Sequence, residues 1–210
     1  MIMYKYTKEK YAKSLVEDGI VYISALSSFH GAPSFNLAIG DYQEGKVKFT
    51  PKGQPFDTAD PNHNKSLAHQ LSSSIKAERI IIFSKEIKIH TNNTFVYSVS
   101  KTIDKETAEE FGYDACIKIE PFEDFYRTLT DCLIKSGLSI TDTLTKDCLY
   151  IDSKHFTLAD ELPDAPVFLK DKLYKYQQEV RSVWTIKDLE DKSFVFNCPD
   201  IKKFCSVIKI

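Results

Sequence analysis

Three side chains that could do chemistry together recur at every second position between Tyr174 and Trp184. They are Gln177, Glu179 and Arg181. In a β-strand, side chains alternate between two faces, so these three would form one polar row and predict the floor of a polar cleft. The opposite face would be mostly aromatic and apolar and would pack on a core: Tyr174, Tyr176, Gln178, Val180 and Trp184. The alternative is a solvated sheet face, on which an exposed Glu–Arg pair contributes at most about 1 kcal/mol.

Other common catalytic and nucleotide-binding motifs are absent from the sequence. It contains no G-x-x-x-x-G-K-[ST], no G-x-G-x-x-G and no G-x-S-x-G, which argues against P-loop, dinucleotide-fold and serine-hydrolase chemistry. A Cys–His nucleophile is disfavoured because the five histidines lie in polar segments. The lysines between Lys170 and Lys175 could contact phosphate, but a short charged stretch before a strand is more typical of a solvated segment.

Composition bounds the class of protein. The 210 residues fit one domain, 1–210, and 42% hydrophobic content is enough for a core. The 28 basic and 30 acidic residues nearly balance, which gives no global attraction to nucleic acid or to an anionic membrane. The balanced net charge is still compatible with a local basic groove. No apolar run approaches the roughly 20 residues of a membrane span, and the first residues do not resemble a signal peptide.

The cysteines favour a reducing compartment. The five are odd in number, widely spaced and without a C-x-x-C pair, so we expect small buried thiols and no disulfide framework. The histidines show no H-x-x-x-H or H-E-x-x-H spacing, so we expect no metal site. These observations predict a cytoplasmic protein.

The elements that must position the polar row predict an α+β fold. Strands and helices neither alternate strictly nor segregate, which favours a single mixed or antiparallel sheet with flanking helices. We predict strands at Tyr4–Thr7, Ile20–Ser24, Arg79–Ser84, Phe95–Val99, Ala115–Ile119, Asp147–Ile151, Tyr174–Trp184, Phe194–Asn197 and Cys205–Ile210, and helices at Lys8–Asp18, Pro61–Lys76, Asp104–Phe111 and Pro121–Lys135. The β-branched run Arg79–Ser84 is the predicted central strand, buried on both faces.

Residues 25–61 predict a long irregular loop. Glycine, proline and serine interrupt every periodic pattern there, while aromatic residues recur. Such loops are usually functional or disordered, and the aromatic content favours a loop that covers a ligand. Phe29, Phe35 and Tyr42 could stack on a ring of that ligand, or they could simply pin the loop to the sheet.

Several short motifs, taken in order, resemble a widespread bacterial family of uncharacterised domains marked by K-Y, F-S and Y-E-x-E-x-R. The motifs here are Tyr4-Lys5-Tyr6-Thr7, Ile82-Phe83-Ser84, Phe168-Leu169-Lys170 and Tyr176-Gln177-Gln178-Glu179-Val180-Arg181. The likeness covers nearly the whole chain. That family in turn resembles the ADP-ribosyltransferase fold, in which a first strand carries His or Arg and a late strand carries E-x-E or Q-x-E.

The resemblance implies roles for individual residues. Glu179 matches the catalytic glutamate, and Gln177 matches the catalytic-site position two residues before it. Lys5 stands where a His or Arg usually stands. The implied NAD-binding residues are Lys5, Tyr6, Thr7, Ser24, Ser84 and Arg181.

The implied chemistry suits these residue types. Cleavage of the nicotinamide–ribose bond develops positive charge on the sugar, and a fixed carboxylate stabilises that transition state more than the ground state. NAD is the implied co-substrate, with no metal. Among enzymes of this kind, Q-x-E accompanies acceptors other than arginine, including nucleobases.

The resemblance therefore implies an NAD-dependent ADP-ribosyltransferase acting as a toxin or phage-defence effector. Its expected acceptor is a nucleobase in RNA or DNA, with a protein side chain less favoured, and an antitoxin protein is an expected partner. Lys5 in place of His or Arg favours an alternative, a non-catalytic binding or sensor module on the same fold. A metal-free nuclease using Glu179 is a third reading.

Overall fold

Strands form most of the regular structure. The computed structural model describes residues 1–29, 45–50, 55–65, 67–69, 79–83, 87–90, 93–187 and 189–210. The strands in these ranges are β1 Met3–Thr7, β2 Ile20–Ala25, β3 Lys46–Thr50, β4 Phe56–Asp57, β5 Ile81–Ile82, β6 Ile87–His90, β7 Thr94–Ser100, β8 Ala115–Ile119, β9 Ser139–Asp147, β10 Leu149–Ile151, β11 His155–Thr157, β12 Leu169–Asp171, β13 Glu179–Lys187, β14 Phe194–Asn197 and β15 Cys205–Lys209. The α-helices are α1 Glu9–Lys13, α2 Lys105–Phe111 and α3 Phe122–Lys135.

Eight of these strands form one antiparallel sheet built around β7. One edge of β7 pairs along its whole length with β13, which then pairs with β9. The other edge is shared, because β2 pairs with it near Phe95 and Val96 while β1 pairs with it at Ser100. β14 continues the sheet beyond β2, and β8 and β15 continue it beyond β1. The predicted mixed α/β class with an antiparallel sheet is confirmed.

The central strand is not the one predicted from its apolar run. Arg79–Ser84 contributes only the two-residue β5, which pairs with β4 outside the main sheet, and Ile81 is 45% exposed. Ser84 lies outside the described residues. The central position belongs to β7, in which the four successive side chains of Thr94–Tyr97 are buried, so that both faces of the strand are covered there. The prediction of Arg79–Ser84 as a central strand was therefore wrong.

One face of the sheet packs on the main core. Trp184 of β13 is fully buried, and its indole nitrogen donates to the Thr130 hydroxyl of α3 at 2.9 Å. The apolar face of α3 contributes Phe125, Leu129 and Leu133 to the same core, as expected for an amphipathic helix. Val180, Trp184 and Ile186 of β13 are all buried in this core, which fixes the strand along its length.

Among the described residues, two elements cover the opposite face of the sheet, one at each end. At one end α2 places Ala108 against Tyr6 and Cys116. At the other end a short 3-10 turn, Pro166–Phe168, packs on Val96 and Val183. The part of the sheet between the two covers faces a cleft.

The chain before β2 folds as predicted. α1 continues as one π-helical stretch, Ser14–Asp18, and ends at Gly19, whose φ is +74°. A Cβ at Gly19 would lie 2.6 Å from the carbonyl oxygen of Cys198, so the position requires glycine both for its backbone conformation and for space.

The predicted loop 25–61 is partly regular. Lys46–Thr50 forms β3, the middle strand of a three-stranded sheet with β6 and β11, and Phe56–Asp57 forms β4. The prediction of one irregular loop was wrong for these residues, because their alternating aliphatic and aromatic side chains pack in a second core with Leu67 and Leu169. Residues 30–44 and 51–54, including Phe35 and Tyr42, lie outside the described residues, as does half of the predicted helix Pro61–Lys76.

Two of the five cysteines are joined. Cys132 of α3 and Cys198, just after β14, form a disulfide, while Cys116, Cys148 and Cys205 are free thiols. The expectation of thiols throughout was wrong for this pair. The two cysteines are 66 positions apart in sequence, and no local pattern predicts that their elements pack side by side.

Candidate functional site

The cleft begins where β1 and β2 diverge from the shared edge of β7. Between Val96, which pairs with β2, and Ser100, which pairs with β1, the described registers give β7 no strand partner on that edge. The Lys5 side chain reaches into this split. Its ammonium donates to the Ser98 carbonyl oxygen at 2.8 Å and lies 4.8 Å from the centre of the Tyr97 ring.

Glu179 lies on the cleft face of the sheet, between two cations. Its register partner on β7 is Ser100, and that of Arg181 is Ser98. One carboxylate oxygen accepts from Arg181 Nε at 2.6 Å, and the other accepts from the Lys170 ammonium. The side chains of Lys170, Glu179 and Arg181 are only 6%, 9% and 3% exposed. The Glu–Arg pair is thus buried, and the alternative of a solvated sheet face is wrong.

Backbone contacts fix this part of β13. The Glu179 N–H donates to the Tyr150 hydroxyl at 2.7 Å, and the Glu179 carbonyl accepts from the Cys148 N–H at 2.9 Å. Arg181 is tied to the covering turn, because its Nη1 donates to the Val167 carbonyl at 2.5 Å. The carboxylate therefore has a defined position rather than a mobile one.

The electrostatic balance keeps Glu179 ionised. Burial opposes ionisation, but the charges of Arg181 and Lys170 and their hydrogen bonds outweigh it and hold the pKa of Glu179 well below its usual range. Lys5 behaves differently. Burial lowers its pKa from 10.5 to about 8, and the charge of Glu179 opposes that shift. The cleft therefore combines an ionised carboxylate with a lysine whose pKa is about 8.

Gln177 reaches the cluster from a turn and not from the strand. Lys172–Gln177 is a 3-10 turn, Gln178 has a φ of +42°, and β13 begins only at Glu179. The predicted strand Tyr174–Trp184 is therefore wrong in its first half, and Tyr176 is 41% exposed instead of buried in the core. The amide oxygen of Gln177 nevertheless accepts from the Lys170 ammonium at 2.5 Å.

The residues predicted to form a site line one cavity of about 900 Å³. Those in its lining are Lys5, Tyr6, Thr7, Ser24, Gln177, Glu179 and Arg181. Phe29 lines it too, whereas Ser84 lies outside the described residues. Tyr6 also serves the fold, because its hydroxyl accepts from the Asp104 N–H at 2.7 Å. Segments far apart in sequence thus meet at one cleft.

Two residues that sequence reasoning missed complete the cluster. Lys170 was interpreted as part of a solvated charged stretch, yet it contacts both Gln177 and Glu179. Tyr150 carries no motif, yet its hydroxyl holds the backbone of Glu179. No pattern local to either residue indicates these contacts, since both depend on the parallel pairing of β10 with β12.

The lining is cationic and aromatic. Among the described residues that line the cavity, Glu179 is the only carboxylate, against the cations Lys5, Lys8, Lys170 and Arg181. Aromatic side chains surround them: Tyr4, Tyr6, Tyr11, Tyr22, Phe29, Tyr97, Phe111 and Tyr113. Rings beside fixed cations suit a ligand with planar groups and phosphates.

The described part of the chain contains neither a metal-binding cluster nor a membrane-spanning helix. It holds no cluster of three or more His, Cys, Asp or Glu side chains placed to bind a metal ion. None of its helices has the length and apolar character needed to span a membrane.

Comparisons of the chain with protein-family models, with curated proteins and with solved structures found no match.

Proposed function

We propose that the chain is an NAD-dependent ADP-ribosyltransferase whose active site is the cleft at the split of the sheet. The observation that carries the proposal is the Glu179 carboxylate, held by Lys170 and Arg181 in a cavity of about 900 Å³ whose described lining contains four cationic side chains and no other carboxylate. That volume lies toward the upper end for small-molecule sites. The cations suit the pyrophosphate of a dinucleotide, and the aromatic rings suit its two bases.

Glu179 would act as a fixed negative charge. Because its pKa is held well below its usual range, it stays ionised and does not take up a proton as a general base at neutral pH. Each carboxylate oxygen has about two acceptor positions, so a ribose hydroxyl can bind beside Lys170 and Arg181. The charge then faces the oxocarbenium-like sugar as nicotinamide leaves, and it stabilises that state more than bound NAD.

The acceptor proposed for the ADP-ribosyl group is a nucleobase of RNA or DNA. Exposed Tyr11 and Tyr22, which are 56% and 57% exposed, lie in the lining of the same cavity. Such rings stack on bases without regard to sequence. Incubation with labelled NAD and separate pools of RNA, DNA and protein would identify the class that receives the label.

Replacement of Glu179 tests the chemistry. Glu179→Gln keeps the shape but removes the charge, and we expect nicotinamide release to fall by about 10²–10³-fold, as when an electrostatic group is removed from other active sites. The measurement is the rate of nicotinamide release from NAD. The matched control is Glu190→Gln, since the Glu190 side chain is exposed and forms a surface ion pair with Lys192. Wild-type turnover by Glu179→Gln would contradict the proposal.

A second candidate is a sensor module that binds the same ligand without turnover. Each oxygen of Glu179 already accepts a hydrogen bond from a cation, and a fully compensated carboxylate can serve binding alone. This candidate predicts that NAD raises the melting temperature while no nicotinamide is released over hours at any acceptor concentration.

A further inference from the structure

Lys5 occupies a position that an apolar side chain would fill if packing were its only role. Side chains two residues apart on a strand share a face, so Lys5 shares its face of β1 with Met3, and its register partner on β8 is Ile117. Both of these residues are buried in the main core. Lys5 instead carries its amine into the split of the sheet, where it lines the cavity. Burial of a charge costs free energy, so packing alone does not explain a lysine here.

The contacts of Lys5 leave its amine able to react. Its ammonium donates to a backbone carbonyl oxygen, that of Ser98, at 2.8 Å. Among the described residues, the ion pairs of Glu179 go to Lys170 and Arg181 and not to Lys5. An amine that has lost one proton still carries N–H donors, so the bond to the carbonyl survives deprotonation. The lone pair that deprotonation exposes is then available to attack a ligand.

Burial promotes the free amine. It lowers the pKa of Lys5 from 10.5 to about 8, while the charge of Glu179 opposes that shift. A desolvated lysine with other cations around it is a common nucleophile toward carbonyl carbons. The product of that attack is an imine, which is positively charged when protonated. The fixed negative charge of Glu179, which the Lys5 amine already senses, would stabilise the protonated imine.

The cavity around this amine suits a phosphorylated ligand. Its described lining holds four cations and one carboxylate, and cations bind phosphate by charge-assisted hydrogen bonds. Tyr97, whose ring centre lies 4.8 Å from the Lys5 amine, also lines the cavity. Its hydroxyl is buried and has no hydrogen-bond partner among the described residues. An unpaired buried hydroxyl costs free energy, which a polar ligand atom or a water molecule would recover.

We propose that Lys5 is a nucleophile whose amine forms an imine with the aldehyde of a phosphorylated sugar bound in the cleft. The nitrogen lone pair forms a bond to the carbonyl carbon. The amine hydrogens pass to the carbonyl oxygen, which leaves as water, so the step consumes no oxidant and no reductant. This chemistry goes beyond the transfer of ADP-ribose and does not require it. ADP-ribose is itself a phosphorylated sugar with an aldehyde when its terminal ring opens.

Pyridoxal 5′-phosphate is the probe for this amine, because it combines an aldehyde, a phosphate and a planar ring. The intact protein is incubated with it near neutral pH, reduced with borohydride to fix the imine, and mapped by peptide mass spectrometry. We expect Lys5 to be labelled about tenfold faster than Lys13 or more, since its lower pKa leaves more free amine. Lys13 is the internal control, because it is exposed and pairs with Glu9. Labelling of Lys5 no faster than of Lys13 would overturn the inference.

Substitutions show whether the label marks the amine in the cleft. Lys5→Arg keeps a charged donor that forms no imine with the probe, and Lys5→Met removes the amine but keeps a side chain of similar length. Both variants should lose the fast phase of labelling, whereas Lys13→Met should retain it. A fast phase that persists in folded Lys5→Arg would contradict the inference. Peptide mapping locates the label in the wild type, so the result stands even if a variant does not fold.

Pyridoxal, which lacks the phosphate, tests the class of ligand. The preference for the phosphorylated aldehyde over pyridoxal should be severalfold greater at Lys5 than at Lys13, because only the cavity offers cations to the phosphate. ADP-ribose with cyanoborohydride should form a covalent adduct at Lys5. The same preference at both lysines would overturn the assignment to a phosphorylated aldehyde.

These measurements separate the inference from the proposed function. If Lys5 is labelled quickly while NAD neither binds nor releases nicotinamide, the proposed function fails and the inference stands. If nicotinamide is released while Lys5 reacts no faster than Lys13, the inference alone fails.

Discussion

At the scale of the residue, the single negative charge of Glu179 lies near three cationic side chains. Glu179 bonds to Arg181 and Lys170, and Lys5 lies close enough for its pKa to respond to Glu179. A buried ion pair adds little net stability compared with apolar residues of the same size. The retention of four ionisable groups at one buried point is therefore better explained by binding or chemistry than by folding.

Lys5 provides a prediction about pH. Its pKa is about 8 in the folded protein, against 10.5 ordinarily, so between these values the unfolded chain binds more protons and stability rises with pH. The folded state therefore bears the cost of the charged lysine below pH 8 and loses that cost as the pH rises to about 10.5. Relative to Lys5→Met, the wild type should gain at most about 3 kcal/mol across this window.

Urea unfolding of both proteins at several pH values measures this difference. Lys13→Met is the control, because Lys13 is exposed and pairs with Glu9. A wild-type curve that runs parallel to that of Lys5→Met between pH 8 and 10.5 would show that Lys5 titrates as an ordinary lysine.

At the scale of the element, the disulfide ties α3 to the end of β14. The Cys198 N–H also donates to the Gly19 carbonyl at 2.9 Å. The disulfide therefore also anchors Gly19, which ends the π-helical stretch that lines the cleft. Closing a loop of this length constrains the unfolded chain by roughly 4 kcal/mol in the chain-entropy model. We expect Cys132→Ser with Cys198→Ser to lose stability of that order and Cys205→Ser, which removes a free thiol, to lose much less.

Equilibrium unfolding of these variants, with and without reductant, tests the prediction. Reductant should shift the wild-type curve to the position of the double variant and leave the double variant unchanged. Identical wild-type curves in both conditions, or five reactive thiols in the unfolded wild type without reductant, would contradict it.

The sequence predicted where helices and strands lie along the chain better than it predicted which strands pair with one another. Local periodicity identified α3, and the cap residue Asp104 identified α2, since its side chain accepts from the Thr107 N–H. The apolar run at Arg79–Ser84 misled the choice of central strand, because side-chain character shows that a strand is apolar and not which strands flank it. β9 was missed because its side chains are exposed or only half-buried, so no buried period marks it.

The candidate site follows the same division. Glu179 and Arg181 were placed on one face correctly, because the period of a strand is local. Gln177 was also predicted on that face, but for the wrong reason. Gln178 adopts the αL conformation, so the strand begins only at Glu179 and does not include Gln177. Lys170 was named in a motif, but its contacts with Gln177 and Glu179 were not predicted, because its burial depends on contacts made only after β12 and its turn have folded.

At the scale of the whole molecule, charge is distributed unevenly. The chain carries a formal net charge of −2, yet the described lining of the cleft holds four cations and one carboxylate. A positive cleft in a protein of near-zero net charge attracts a small anion to that place without general attraction to polyanions. This distribution favours a phosphate-bearing small molecule as the first ligand.

A calorimetric titration of the intact protein with NAD tests the central claim most directly. We predict one binding site per chain, weakened by added salt as expected for phosphate contacts with Lys170, Arg181 and Lys5. ADP-ribose, which retains the pyrophosphate, should compete for that site, and nicotinamide alone should compete weakly. Absence of heat and of any rise in melting temperature at millimolar NAD would contradict the account.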